Sequence, residues 1–128
     1  MSHTSRPLNT FDYVSMLLQK SSKTIIKREY DNLNRIHLYG VGQYWVAFDK
    51  SAYMLEKMTN EESNAAILHL KESPFPVLMY CVHYDRVKDL CRKYTMTKQN
   101  PDYLQLLIPP IDSTSYNQWY RELVVDED

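Results

Sequence analysis

The amino-acid sequence predicts an α/β fold of the α+β type, in which helices flank a small mixed β-sheet. Short apolar runs typical of strands alternate along the chain with segments whose apolar residues recur at helical spacing, and this interleaving indicates a sheet covered by helices. The length of 128 residues and the hydrophobic content of 44% fit one domain with a substantial core. We therefore expect a single domain over residues 9–124, between a flexible N-terminus at 1–8 and an acidic tail at 125–128.

The chain begins with a predicted helix and an ambiguous polar connector. Asn9 or Thr10 can cap a helix over 10–21, because apolar residues recur there at helical spacing: Phe11, Val14, Leu17 and Leu18. The connector at 23–35 is mostly polar and charged, so periodicity assigns it neither helix nor strand.

Both glycines of the chain lie between two predicted strands, at 36–39 and 43–48. Glycine permits a sharp turn or the close approach of another group to the backbone. The stretch Gly40-Val41-Gly42 therefore fits either a hairpin or one long strand with a bulge. A short helix over 49–58, with apolar residues on one face, follows the second strand directly.

The second half of the chain continues this alternation. Residues 65–71 fit a helix or a strand, and the prolines that follow end either one. A buried strand at 76–82 is followed by an amphipathic helix at 84–94 and a loop at 95–102. A last strand at 103–108 then leads to a terminal helix that Ser113 or Ser115 can cap.

Charge and cysteine content limit the partners and the compartment. The net charge is −1, so a nucleic-acid contact has to use a local basic patch rather than the field of the whole chain. Cys81 and Cys91 form no C-x-x-C pair and are expected to be free buried thiols, as is typical inside the cell. The sequence has no run of about 18 apolar residues, the length that a membrane-spanning helix needs. We therefore expect a cytoplasmic protein without a membrane partner.

The sequence contains no recognisable catalytic, cofactor or metal motif. The histidines at positions 3, 37, 69 and 83 show no metal-ligand spacing such as H-E-x-x-H. The two glycines lack the third glycine and the lysine of a phosphate loop, and no serine lies in a G-x-S-x-G motif. The sequence therefore predicts no enzyme, no cofactor and no metal site.

Two segments resemble the N-terminal mismatch-recognition domain of MutS proteins. The stretch 38–52, LYGVGQYWVAFDKSA, resembles that family's strand, G-D-F-Y-E turn, second strand and helix carrying D-A. The stretch 75–84, FPVLMYCVHY, resembles the family's strand P-M-x-G-x-P-Y-H and the start of the helix after it. The two segments follow each other in the same order and at a similar separation as in that family, and the resemblance spans roughly residues 9–109. It implies a stand-alone MutS N-terminal-like domain.

The resemblance also implies roles for three residues around the turn. Gly42 matches the glycine of G-x-F-x-E, and Tyr44 matches the phenylalanine that stacks on a mispaired base in that family. Val46 matches the glutamate that hydrogen-bonds the same base. Tyrosine can still stack on a base, but valine offers no hydrogen bond, so we expect little preference for mismatches. Because side chains alternate along a strand, Tyr44 and Trp45 should lie on opposite faces of the sheet.

The resemblance favours a DNA-binding or DNA-repair-associated accessory module that acts on double-stranded or structured DNA. The length leaves no room for a P-loop ATPase domain, so no ATP-driven step is expected. The candidate phosphate contacts are basic residues in and near the connector and on and after the helix over 84–94: Lys20, Lys23, Lys27 and Arg28, and Arg86, Lys88, Arg92, Lys93 and Lys98. The solvated face of an amphipathic helix explains the same charges. The alternative is a protein-interaction adaptor or homodimer that uses a tyrosine-rich surface and the helix around Trp119.

Overall fold

The computed structural model describes residues 9–59, 65–71 and 73–126, which form helices around one sheet. The helices are α1 (Thr10–Tyr30), α2 (Asp49–Thr59), α3 (Tyr84–Lys93) and α4 (Ser113–Asp126). The strands are β1 (Arg35–Val41), β2 (Tyr44–Phe48), β3 (Ala66–Leu68), β4 (Val77–His83), β5 (Thr95–Asn100) and β6 (Tyr103–Leu107). The α+β class is confirmed. The expected flexible segment 1–8 and residues 127–128 of the expected tail lie outside the described residues.

The six strands lie in the order β3-β4-β2-β1-β6-β5, and every described pairing is antiparallel. Sequence reasoning was wrong to expect a mixed sheet. After β2, helix α2 leads to the edge strand β3, and after β4, helix α3 leads to the other edge strand β5. The chain then returns to the sheet centre in β4 and β6. As a result β4 pairs antiparallel with β2, and β6 pairs antiparallel with β1. Neither pair is parallel, as a direct strand-helix-strand crossover would have made it.

Helices cover both faces of the sheet. On one face, Val14 and Ile25 of α1 pack against a buried cluster that includes Val46 and Phe48. On the other face, α2, α3 and α4 surround a larger cluster that includes Tyr80 of β4. The two clusters follow from side-chain alternation along the strands, which sends neighbouring residues to opposite faces.

Helix α1 is longer than the sequence predicted, because it continues through most of the polar connector to Tyr30. It begins at a capping box in which the Asn9 side chain accepts from the Asp12 N–H at 2.8 Å. Ser22, Ile25 and Glu29 are buried on its sheet-facing side, at spacings of three and four residues. Two of these three residues are polar, so hydrophobic periodicity missed this face.

The segment expected to be a loop at 95–102 forms β5 and the turn after it. β5 pairs antiparallel with β6 and is an edge strand of the sheet. Most of its side chains are exposed, so it lacks the alternation of apolar and polar residues that marks a half-buried strand. The other strands and helices lie close to their predicted positions, and the ambiguous segment 65–71 contains β3.

The C-terminal helix differs from its prediction at both ends. The Asp112 carboxylate accepts from the Thr114 N–H at 3.2 Å and from the Ser115 hydroxyl at 2.8 Å. Asp112, rather than Ser113 or Ser115, therefore caps α4. The helix also extends through Val125 and Asp126, which were expected to belong to the acidic tail.

A buried carboxylate joins the end of α1 to the start of α2. Glu29 accepts hydrogen bonds from the Ser51 N–H at 2.8 Å, the Ser51 hydroxyl at 2.5 Å and the Asn32 amide at 3.3 Å. The Asn32 amide also donates to the carbonyl oxygen of Arg35 at 2.6 Å, so the same cluster fixes the start of β1. Burial raises the pKa of Glu29 to about 8, against the lowering effect of its three hydrogen bonds.

Both cysteines are free, as predicted, but neither is buried. Cys91 is half-buried, and Cys81 is exposed because α1 packs mainly over β1 and β2 and leaves part of β4 open. Among the described residues, no helix combines the length and the apolar character that crossing a membrane requires.

Candidate nucleic-acid interface

The two glycines form and support the β1–β2 turn. Gly42 and Gln43 form a two-residue turn, in which Gly42 has a φ of +69° that suits glycine. A Cβ at Gly42 would also meet the Tyr13 ring at 3.3 Å. Gly40 permits a close approach instead: its N–H donates to the Asp102 carbonyl at 2.9 Å, and a Cβ there would lie 3.3 Å from the Asp102 Cα. Of the two alternatives that the sequence left open, the structure contains the hairpin.

Tyr44 lies at the tip of this hairpin, and 36% of its surface is exposed. It pairs with His83 across the sheet, and the two rings meet edge to face with 5.5 Å between their centroids. The His83 ring in turn lies 4.5 Å from the ring of Tyr84, which is 42% exposed. These three residues, Tyr44, His83 and Tyr84, form a continuous ring cluster at one end of the sheet. Trp45 is half-buried against the cluster on the opposite face, as the alternation predicted.

Helix α3 is attached to the turn at its first residue. The Tyr84 N–H donates to the Gln43 carbonyl at 3.1 Å. The His83 side chain caps the helix by accepting from the Asp85 N–H at 3.3 Å. Val87 and Leu90 are buried against the sheet and hold the helix there. The ring cluster and α3 are therefore parts of one fixed assembly.

A groove of about 480 Å³ runs between α3 and the β5–β6 hairpin. Its floor is apolar and includes Trp45, Val87 and Leu104. Lys88 and Arg92 line the α3 side, and Tyr84 belongs to both the groove and the ring cluster. The Lys88 ammonium lies 5.0 Å from the centroid of the Tyr84 ring. Aromatic side chains in a groove with cations along its rim are typical of surfaces that bind single nucleic-acid strands.

The four cations of α3 lie on two different flanks of the helix. Lys88 and Arg92 are four and eight residues after Tyr84, which places them on the flank that faces the groove. Arg86 and Lys93 are seven residues apart and lie on the other flank, and neither lines the groove. Of the candidate cations that sequence reasoning placed on this helix, Lys88 and Arg92 therefore line the groove, and Arg86 and Lys93 do not.

Lys27 and Arg28 lie away from the turn. They belong to the last turn of α1, whose end is tied through Asn32 to Arg35 at the start of β1. The β1–β2 turn lies at the other end of β1, and a strand of this length spans about 20 Å. The structure places Gly42 and Tyr44 at the turn and Arg92 in the groove that includes Tyr84, and it separates all three from Lys27 and Arg28.

Val46, the counterpart of the family's glutamate, is fully buried under α1. It therefore contributes to the core and is not available to read a base. A glutamate at this position would place its carboxylate in an apolar cluster, where it could not reach a base.

Sequence reasoning missed His83 and Tyr84 as members of the site. The spacing of Tyr84, Lys88 and Arg92 on a predicted helix was a signal for the groove-facing flank. Nothing in the local sequence indicates that His83 lies against Tyr44, because that contact depends on the pairing of β2 with β4. Among the described residues, no three His, Cys, Asp or Glu side chains lie close enough together to hold a metal ion. Comparison with protein-family models, curated proteins and solved structures finds no match to this chain.

Proposed function

We propose that this protein is a cytoplasmic, non-enzymatic DNA-binding module of the MutS recognition-domain type, an accessory to DNA repair that has no ATPase activity. The observation that carries the proposal is the exposed ring cluster of Tyr44, His83 and Tyr84, which continues into a groove with Lys88 and Arg92 on its rim. Exposed rings offer faces for base stacking, and cations along a groove can follow a phosphate backbone.

The arrangement suits DNA in which some bases are unpaired. Stacking on Tyr44 or Tyr84 requires a base that is free of its own stack, as at a bulge, a junction or a strand end. The groove can then take the adjacent single strand, with Lys88 and Arg92 close to its phosphates. Val46 stands where the family has its base-reading glutamate, and its buried side chain offers a base no hydrogen bond. The proposed module therefore responds to DNA structure more than to the identity of a mismatch.

A salt titration of oligonucleotide binding tests this proposal. Fluorescence anisotropy would compare single-stranded, bulged, mismatched and fully matched DNA from low to physiological salt. We expect single-stranded and bulged DNA to bind more tightly than matched duplex, with affinity that falls as salt rises. We expect discrimination between mismatched and matched duplex below about tenfold, or ~1.4 kcal/mol. Equal affinity for all four DNA types, or no binding at low salt, would contradict the proposal.

The adaptor function is the second candidate, and the exposed apolar surface of α1 favours it. Phe11 is 74% exposed and Met16 is 55% exposed, and large exposed apolar groups mark some protein interfaces. The patch expected around Trp119 is not exposed in the structure. Its indole is half-buried and donates to Glu56 at 2.9 Å, and the neighbouring Tyr116 is buried. Light scattering that finds a homodimer sensitive to Met16→Lys, together with no DNA binding, would support the adaptor instead.

A further inference from the structure

A polar hollow of about 700 Å³ lies on the α1 face of the sheet, which is the face opposite the groove. Three cations line it: Arg28 from α1, Arg35 from β1 and Lys98 from β5. Among its lining residues Asp31 is the carboxylate, so positive charge exceeds negative charge in the hollow. This excess is local, because the whole chain carries a net charge of −1.

Arg28 is held in place by two tyrosines. Its guanidinium lies 4.3 Å from the centroid of the Tyr103 ring, and its Nη1 donates to the Tyr39 hydroxyl at 3.2 Å. A guanidinium has five N–H donors, and the bond to Tyr39 uses one of them, so other donors remain to bind an anion. A cation fixed in this way loses little side-chain entropy when it binds an anion.

The floor of the hollow is a row of polar side chains across three strands. Lys98, Gln105 and His37 are successive cross-strand partners on β5, β6 and β1. The side-chain oxygen Oε1 of Gln105 accepts from the Thr97 hydroxyl at 2.8 Å, and its side-chain nitrogen Nε2 donates to the Tyr103 hydroxyl at 3.0 Å. The same hydroxyl lies 2.7 Å from Nδ1 of His37. The floor is therefore ordered by hydrogen bonds within the protein.

The pKa of His37 reflects both its burial and the positive charge of the hollow. Burial, together with the charges of Arg28, Arg35 and Lys98, lowers the pKa of His37 to about 4. Its imidazole is therefore neutral at pH 7, and its charge state will respond to an anion that offsets these cations.

We infer that this hollow binds a phosphate monoester, held by Arg28, Arg35 and Lys98 above the floor formed by His37 and Gln105. Guanidinium groups recognise phosphate oxygens through paired, charge-assisted hydrogen bonds, and lysine adds a point charge. Three cations from three separate elements converge on one space, which distinguishes the hollow from the solvated face of a single helix. The inference is independent of the proposed DNA contact, since the groove lies on the opposite face of the sheet and the ring cluster lies at the Val41–Tyr44 end of β1 and β2, whereas the hollow lies at the Arg35 end of β1.

Nuclear magnetic resonance of the His37 ring tests the inference with inorganic phosphate added at constant ionic strength. We expect a saturable shift of the ring signals and a rise of about one unit or more in the pKa of His37 as phosphate binds. Arg35→Gln and Lys98→Gln should each weaken phosphate binding by about tenfold. Both side chains are exposed, so neither change should unfold the protein. Arg121→Gln on α4 is the matched control and should bind phosphate as the wild type does.

Two further ligands identify the source of the phosphate group. Adenosine monophosphate represents a small phosphorylated molecule, and a 5′-phosphorylated thymidine oligonucleotide, compared with its 5′-hydroxyl form, represents a strand end. A clear preference for the phosphorylated strand assigns the hollow to DNA ends, and similar affinity for all phosphate monoesters assigns it to small molecules. Tyr44→Ala should leave the phosphate titration unchanged, which separates this site from the ring cluster. The absence of a saturable His37 shift, or equal affinity in wild type, Arg35→Gln and Lys98→Gln, would overturn the inference.

Discussion

The main-chain N–H of Tyr84 donates to the carbonyl oxygen of Gln43 over 3.1 Å, so the first residue of α3 is bonded to the tip of the β1–β2 turn. This bond joins two parts of the chain that lie on different hairpins of the sheet. It places the exposed Tyr84 ring beside the Tyr44–His83 pair and sets the direction in which the groove leaves the turn. A surface assembled before binding loses little conformational entropy when a ligand arrives.

Replacing Tyr44 with alanine should separate binding from stability. We expect Tyr44→Ala to weaken binding of single-stranded or bulged DNA by about 1–3 kcal/mol, because a stacking ring is lost. The free energy of unfolding should fall by less than about 1 kcal/mol, because the side chain is exposed at a hairpin tip. Anisotropy and urea unfolding measure the two effects. Tyr44→Phe keeps the ring and should bind as the wild type does, whereas a loss confined to stability would assign Tyr44 to the core.

The two flanks of α3 should differ in their effect on the salt dependence of binding. Lys88→Ala and Arg92→Ala should each reduce the slope of log affinity against log salt by about 0.7–0.9, because each removes one phosphate contact. Arg86→Ala and Lys93→Ala remove the same charges from the flank that does not line the groove, so they are the matched controls. We expect their slopes to equal that of the wild type. Four equal slopes would show that DNA does not follow the groove.

A glutamate at position 46 should damage the fold instead of creating a mismatch reader. Val46 has no exposed surface and lies among Val14, Tyr39 and Phe48. An uncompensated charge in such a cluster costs about 3–5 kcal/mol, and we expect this loss in the free energy of unfolding of Val46→Glu at pH 7. Val46→Ile, which adds one methylene but no charge, is the apolar control. A stable Val46→Glu protein that prefers mismatched duplex would show that this part of β2 opens to DNA.

Glu29 should make the protein less stable as the pH rises from about 4.5 to about 8. Its pKa in the folded protein, about 8, lies above its ordinary value of 4.5, so the folded state holds a proton that the unfolded state has released. The stabilisation is full below about pH 4.5 and is lost as the pH rises through 8, at up to about 1.4 kcal/mol per pH unit. The pKa of His37 is lowered from 6.5 to about 4, so His37 makes the protein more stable as the pH rises, but only between about pH 4 and 6.5.

Urea unfolding of Glu29→Gln at pH 6.5 and 8 isolates this effect, because the shifts of His37 and Asp49 act at lower pH. We expect the unfolding free energy of the variant to change less between these two pH values than that of the wild type. Glu122→Gln on α4 is the exposed control. If Glu29→Gln loses stability as steeply as the wild type, another group takes up the proton.

Sequence periodicity predicted most of the fold because most of its elements bury apolar residues at regular spacing. The apolar run at 76–82 and the helical spacing at 84–94 correspond closely to β4 and α3. Prediction failed where polar residues face the core or where a strand lies at the edge. Ser22 and Glu29 are buried by contacts made elsewhere in the chain, and β5 is held by its pairing with β6.

The candidate site was predictable only in the parts that lie close together in the sequence. Gly42 and Tyr44 could be singled out because both belong to one short turn. Lys27 and Arg28 were grouped with the turn, whereas α1 places them at the opposite end of the sheet. The Tyr44–His83 contact depends on strand order, and the convergence of Arg28, Arg35 and Lys98 depends on the packing of α1 over β1. Neither has a local signal in the sequence.

Mapping of the DNA contact surface by nuclear magnetic resonance tests the central claim most directly. A single-stranded oligonucleotide would be titrated at low salt while the backbone amide signals of the whole chain are followed. We predict saturable shifts concentrated at Gln43, Tyr44, Tyr84, Lys88 and Arg92, which return towards their free positions as salt is added. Shifts confined to the exposed apolar residues Phe11 and Met16, or the absence of any saturable shift, would contradict the assignment of this surface to DNA.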